Sequence, residues 1–354
     1  MIQIQVPARI CFFGDHQDYL GLPVIAGSID CYINLNATPN QKQSFVLKLL
    51  DLGKEVSIPL NDDLTSIQKG DYFRSGMAVL RQKGFLFDTG YDIEISGNIP
   101  LNAGLSSSSA LVVAWIRFLV AIQNPTTEEI TDFQIGHWAY ESEVVFFGQP
   151  GGLMDQYSIA QGGLLFIDTQ SGKSSPLVPN LGTLIVAESG LAKQTLRVLK
   201  NAREYAQNAL KIVQENHPKF VLKDATLEDY EKYKSLVPDE FQAHWYATIH
   251  NYHITKEAKK ELLKPNPNSV TLGNLMNQHQ TILEEKIQNT PSEMMTMMKA
   301  ARKSGALGTK IIGSGGGGCM VAMVNDNTKE QVIEAFLANG AKAAYEINLT
   351  NFSK

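Results

Sequence analysis

Hydrophobic and polar positions alternate at the start of the chain: Ile2, Ile4 and Val6 fall between Gln3 and Gln5. A period of two puts one set of side chains on one face, so this stretch reads as a half-buried strand running into Pro7. Cys31, Ile33, Leu35 and Ala37 repeat the pattern, as do Tyr91, Ile93 and Ile95. The period then changes. Residues 111–120 are almost wholly apolar, with Leu111, Val112, Trp115, Ile116 and Leu119 at helical spacing, which predicts a buried helix. Residues 130–147 predict a second helix, and 164–167 a strand after Gly162 and Gly163.

An apolar run at 183–187 stops at Ser189-Gly190. From Gln194 to about Lys264 the chain is polar, helical in flavour and rich in Tyr and Lys, until Pro265-Asn266-Pro267-Asn268 breaks it. Phe241, Trp245, Tyr246 and Tyr252 in that stretch fit core packing, a cover over a ligand or a dimer contact. Leu272, Leu275, Met276, His279, Ile282 and Leu283 mark an amphipathic helix, and 292–304 another. Ile311-Ile312, residues 313–318 and 320–324 predict strand, tight turn, strand. Residues 331–337 and 344–349 supply a last helix and strand. No internal repeat is evident. At roughly 150 residues per domain, 354 residues make two. The expected boundary lies near Leu181, giving 1–181 and 182–354.

Composition narrows the function. Hydrophobic residues at 44% and charged residues at 19% exclude a disordered or fibrous chain. Lys plus Arg number 31 against 36 Asp plus Glu, a net charge of −5, which argues against broad nucleic-acid or anionic-membrane binding. One small basic pocket for a phosphorylated ligand stays open. No run approaches the roughly 18 apolar residues of a membrane span, and the N-terminal alternation reads as a strand rather than a signal peptide. Cys11, Cys31 and Cys319 form no CxxC pair and are expected as buried thiols of a reducing compartment, so the protein is placed in the cytoplasm.

Four segments carry candidate chemistry. Pro100-Leu101-Asn102-Ala103-Gly104-Leu105-Ser106-Ser107-Ser108-Ser109 lies between a strand and the buried helix. A Gly- and Ser-rich turn at a helix N-terminus offers free N–H groups and the positive end of the helix dipole, an anion site. Its hydroxyls can also ligate Mg²⁺. A single capping serine, Ser106, would satisfy the alternative of a plain capped helix, yet four stand in a row. No GK[ST] follows, so this is not a Walker A loop. Gly313-Ser314-Gly315-Gly316-Gly317-Gly318 reads as a hairpin tip or as backbone bared for close approach. Asp15, His16 and Asp18 crowd the turn after Gly14, suited to several sugar hydroxyls or to a solvated, Asx-capped turn. Asp155 follows Gly151-Gly152 at a predicted helix start, where a carboxylate favours the dipole or orients a substrate hydroxyl. Glu143, twelve residues earlier, is within reach of a shared Mg²⁺.

In this order the segments resemble the GHMP kinase superfamily. Pro7-Ala8-Arg9-Ile10 through Ala26 stands as its first motif, 100–110 as its second and 310–324 as its third. Within the superfamily the galactokinase-type sugar 1-kinases match best. Gly14-Asp15-His16-Gln17-Asp18-Tyr19 stands where they carry Gly-Glu-His-x-Asp-Tyr, and Gly152-Leu153-Met154-Asp155-Gln156 where they carry Gly-Ile-Met-Asp-Gln. Leu272-Gly273-Asn274-Leu275-Met276-Asn277-Gln278-His279 resembles the helix before their third motif. Asp15 is one methylene shorter than the usual Glu, Leu20-Gly21-Leu22 replaces Asn-Gly-Gly, and residues 184–200 lack a galactokinase pattern. The resemblance therefore points to a sugar kinase rather than to galactose.

It implies an α+β, two-lobed fold, with an N-terminal ribosomal-protein-S5-like α/β lobe and a C-terminal ferredoxin-like α+β lobe. It implies ATP-dependent transfer to a sugar hydroxyl, the anomeric one by analogy; a heptose, a uronic acid or mevalonate are the neighbouring acceptors, and a non-catalytic sugar and ATP sensor the rival. By the same resemblance, 101–109 wrap the ATP phosphates, Gly315, Gly316 and Gly317 belong to the ATP site by supporting that loop, and Ser108 (with Ser107 beside it) and Glu143 hold Mg²⁺. Asp155 orients or deprotonates the acceptor hydroxyl, Arg9 offsets charge, and Asp15, His16 and Asp18 bind the sugar. Expected partners are ATP and a sugar. No motif specifies an oligomeric state.

Overall fold

The computed structural model describes residues 1–100, 103–123, 129–177, 181–192 and 195–352. Two long antiparallel strands, β1 (Ile2–Phe13) and β2 (Val24–Pro39), open the fold. The opening strand continues through Pro7 rather than stopping there, with a register shift between Pro7 and Ala8, and its alternation gives way to an all-buried run from Ala8 to Phe13. Then come β3 (Ser44–Leu49), β4 (Lys54–Pro59), α1 (Tyr72–Gln82), β5 (Tyr91–Gly97), α2 (Ser107–Ala121), α3 (Asp132–Tyr140), α4 (Met154–Gln161), β6 (Leu164–Ile167) and β7 (Ser174–Leu177). The sheet order is β4-β3-β5-β2-β6-β7, with β1 also on β2. Helix α2 packs on β1 and β2. Trp115 on α2 stacks edge-on against Phe45 and Phe73 and donates its indole N–H to Phe73 O at 2.9 Å, so the one polar atom of this large side chain is satisfied inside the core.

The second sheet is formed by β8 (Thr183–Glu188), β9 (Ala306–Ile311), β10 (Cys319–Val324) and β11 (Ala343–Ile347), antiparallel in the order β11-β8-β10-β9. Between β8 and β9 run α5 (Thr195–Asn216), α6 (Leu227–Tyr233), α7 (Asp239–Leu262), α8 (Ser269–Ile282) and α9 (Ser292–Lys303), and α10 (Lys329–Ala338) joins β10 to β11. Among the aromatics of the polar stretch, Trp245 and Tyr252 are buried with Val213, Leu222 and Leu22, which favours core packing over a ligand cover. The two lobes share a continuous core that includes Ala103 and Leu105 from one and Leu184 and Cys319 from the other. Past β11 the chain returns to the first lobe, where Leu349 bridges to Ile29 and Phe352 to Gly162.

Two features differ from the sequence pattern. The β3–β4 hairpin and α1 lie in a stretch for which the pattern above predicts no element: Asp71 caps α1 by accepting from Arg74 N, and Phe73, Met77 and Leu80 line its buried face. The helix expected over 130–147 begins at Asp132 and passes after Tyr140 into a π-helical turn, Glu141–Val145. Such turns are uncommon and cluster at functional sites. All three cysteines are buried. Among the described residues no helix is long and apolar enough to cross a membrane.

Candidate active site

A cleft of about 550 Å³ opens between the lobes. One wall is the serine-rich turn. Gly104, at φ +92°, supplies the left-handed turn that leads into α2. Ser106 holds the N-cap position, but it is itself left-handed (φ +59°) and makes no side-chain cap. Its hydroxyl instead donates to Asp155 Oδ2 at 2.6 Å. The plain reading of a capping serine therefore fails, and the start of α2 keeps its dipole and has no side-chain cap. Ala103, Gly104 and Ser106 to Ser109 line the cleft, while Leu105 is buried behind it. Leu101 and Asn102 lie outside the described residues.

Arg9 and Asp155 face the same space. Arg9 is 3% exposed and reaches from β1 to Asp155 with two parallel bonds, Nε to Oδ1 at 2.7 Å and Nη2 to Oδ2 at 2.8 Å. Nη1 donates to Gly104 O at 2.8 Å. Burial works against the guanidinium charge, but Asp155 overcomes it and holds the Arg9 pKa above its ordinary value. Asp155 sits in the first turn of α4 with its side chain 27% exposed, so a carboxylate gripped by Arg9 and Ser106 still shows an edge to the cleft.

The first-motif turn forms the other end. Asp15 is 2% exposed and bonded through Oδ2 to the fully buried Lys310 Nζ at 2.5 Å. Lys310 also donates to Ile311 O. Burial alone would raise Asp15, yet Lys310 wins and holds its carboxyl below the usual range. Asp15 Oδ1 finds no partner among the described residues. His279, facing the same pair, is pushed down to about 3 by burial and by Lys310, and stays neutral. His16 Nε2 lies 3.0 Å from both Ser314 O and Asn289 Nδ2, and its Nδ1 is 3.4 Å from Tyr19 OH. Both ring nitrogens thus have protein neighbours. Asp18 is pushed up to about 7, first by burial and then by the nearby Asp155, against the pull of the Tyr19 N–H. A Cβ on Gly152 would come within 2.0 Å of Asp18 Oδ2, so glycine there leaves room for this carboxylate.

Glu143 lies in the π turn, 6% exposed, and accepts from Gln156 Nε2 at 2.7 Å. Burial holds its carboxyl above the ordinary range, against bonds from Gln156, Ser109 and Ser108 that lower it. A buried carboxylate beside two hydroxyls fits Mg²⁺, a hard cation that takes oxygen ligands. Ser109, buried on α2, joins this group beside Ser108.

The glycine run divides its labour. Gly313 and Ser314 line the cleft. Gly315, Gly316 and Gly317 pack behind that lining. Gly316 N donates to Asn289 O at 2.6 Å, and a Cβ on Gly315 or Gly317 would collide with Asn289 O or Ala192 O. Gly318 lies against Ala103, whose O accepts from Cys319 N at 2.7 Å, so the run buttresses the serine-rich turn. Lys310 and Asn289, which hold Asp15 and His16, were not singled out by sequence. A lone Lys in a strand and a lone Asn in a loop carry no pattern.

Two lobes around a helix start without a side-chain cap, with a gripped carboxylate beside it, suit a small-molecule kinase. The comparisons with known proteins agree. The model of the GHMP kinases N terminal domain matches residues 71–163, and that of the GHMP kinases C terminal domain matches 258–342. A galactokinase of Clostridium perfringens is 30% identical over 345 residues, covering 93% of this chain and 87% of the relative. A mevalonate kinase of Thermococcus gammatolerans is 27% identical, covering 97% and 95%. Lactococcus lactis galactokinase complexed with galactose superposes with a TM-score of 0.86 at 22% identity, over 99% of this chain and 94% of that one. The chain belongs to the GHMP kinase family.

Proposed function

We propose that this enzyme is a sugar kinase that moves the γ-phosphoryl group of ATP to a monosaccharide hydroxyl, the anomeric one. The observation that carries this reading is the position of Asp155. Its carboxylate, fixed by Arg9 and Ser106, lies at the seam between the serine-rich turn and the turn that bears Asp15, His16 and Asp18.

The phosphates of ATP lie along Ala103 to Ser109, against the helix dipole. Glu143 and Ser108, with Ser109, would hold Mg²⁺, which draws charge off the phosphates when bound. The acceptor hydroxyl lies against the open edge of Asp155. As its oxygen bonds to the γ-phosphorus, the bond to the β-phosphate oxygen breaks, ADP leaves, and the hydroxyl proton passes to Asp155. Phosphoryl transfer proceeds through a loose transition state that asks little of a base, so orientation by Asp155 outweighs proton removal. Arg9 offsets the charge that gathers between acceptor and phosphate. Asp15 Oδ1, buried and unpartnered, is an acceptor suited to a sugar hydroxyl.

The test is ADP release with MgATP across free sugars, sugar acids, heptose phosphates and mevalonate. Turnover with one free sugar, phosphorylated at the anomeric carbon, is expected. Turnover with mevalonate alone would overturn the acceptor assignment. MgATP binding without turnover of any acceptor would favour a sensor.

A further inference from the structure

The first-motif turn and the glycine run are joined through one buried side chain. Asn289 is 2% exposed and follows α8 after a second π turn, Leu283–Ile287, and a left-handed Gln288 at φ +56°. Its Nδ2 lies 3.0 Å from His16 Nε2 and donates to Ser314 O at 3.0 Å. Its own carbonyl accepts from Gly316 N at 2.6 Å. A Cβ on Gly315 would sit 2.5 Å from that oxygen, so the run closes on Asn289 only because it is bare there. Beyond it, Gly318 and Cys319 rest on Ala103, where the serine-rich turn begins.

His16, at the other end, sits in the left-handed region at φ +62°. A non-glycine residue keeps that conformation only where its surroundings hold it. Ser314 lines the cleft, and its Oγ is buried without a partner among the described residues.

We propose that Asn289 is a positioning residue that couples the two substrate sites, so that nucleotide on the serine-rich turn stiffens the acceptor turn. The proposal rests on the reading of the cleft as a nucleotide and sugar site. Ordering one end lowers the entropy cost of ordering the other, and the effect is reciprocal.

Hydrogen exchange at residues 14–22 of the whole chain, with and without Mg²⁺ and the ATP analogue AMPPNP, tests it without a known acceptor. In the wild type the nucleotide slows exchange there by about fivefold or more, the low end of ordinary coupling. In Asn289→Ala that slowing disappears while nucleotide affinity changes by less than about threefold, well under one hydrogen bond to a charged group. Asn289→Leu, of similar volume and without the donor, behaves as Asn289→Ala and decides the matter if the smaller side chain unfolds the loop. Equal slowing in the folded variants, or none in a wild type that binds nucleotide, overturns the coupling. Failure of the sugar reading shows separately, as absent turnover with every free sugar.

Discussion

Two cation–carboxylate pairs face one cleft, and they are built differently. Arg9 holds Asp155 by two parallel bonds and leaves that side chain 27% exposed. Lys310 holds Asp15 by a single contact, with both side chains almost wholly buried. The first pair keeps a carboxylate edge toward the cleft, where the proposed function puts the acceptor hydroxyl. The second lies deep between β9 of one lobe and the first-motif turn of the other, where the charge of Lys310 lets a buried carboxylate stay ionised. On the proposed function, the exposed pair serves the transfer step while the buried pair anchors the acceptor turn and offers only Asp15 Oδ1 to the acceptor.

Substitutions should break the two pairs in different ways. The largest effect belongs to the exposed pair. Asp155→Asn, which keeps an oxygen acceptor for Arg9, should still fold and should lose about 10²–10³ in turnover, the ordinary cost of one electrostatic partner in the transition state, and Arg9→Ala should lose at least as much. Steady-state ADP release on purified variants measures both. Next comes the buried pair. Lys310→Met leaves Asp15 charged and alone, which should cost about 3–5 kcal/mol in denaturant unfolding. Asp15→Leu combined with Lys310→Met should recover most of that stability without recovering acceptor affinity.

A smaller effect sharpens the acceptor end. Gly152→Ala puts a methyl group within 2.0 Å of Asp18 Oδ2 and forces the carboxylate aside. Acceptor KM should rise about tenfold, near one charged hydrogen bond, with the KM for ATP unmoved. A further effect is in pH. Asp18 rises from its ordinary 3.8 to about 7 in the folded protein, so the folded state binds the extra proton between those values. Its contribution to stability is full below about 4 and lost as pH rises through about 7. The pH dependence of Tm in that window should flatten in Asp18→Asn.

Much of this was legible in the sequence because turns announce themselves. Gly104, the serine row and Asp155 each stand where strand or helix pattern breaks, and a break with glycine and carboxylate is visible in a linear chain. Fold class followed from the same breaks and from alternation such as Ile2, Ile4 and Val6. What stayed hidden was the partner across the cleft. Lys310 lies 295 residues from Asp15, and Asn289 lies 273 from His16. No local period relates such residues; only the closure of the second sheet against the first brings them together. The π turn at Glu141–Val145 was hidden for another reason: its side chains keep a helical pattern while the backbone takes one extra residue.

The most direct test of Asp155 as the centre of phosphoryl transfer is a single-turnover reaction of enzyme with MgATP and the sugar found by the acceptor panel, wild type beside Asp155→Asn, the product located by nuclear magnetic resonance. Anomeric sugar phosphate formed by the wild type, and slowed at least about a hundredfold in the variant with both substrates still bound, is the expected result. Product formed at a near-normal rate by Asp155→Asn would contradict it.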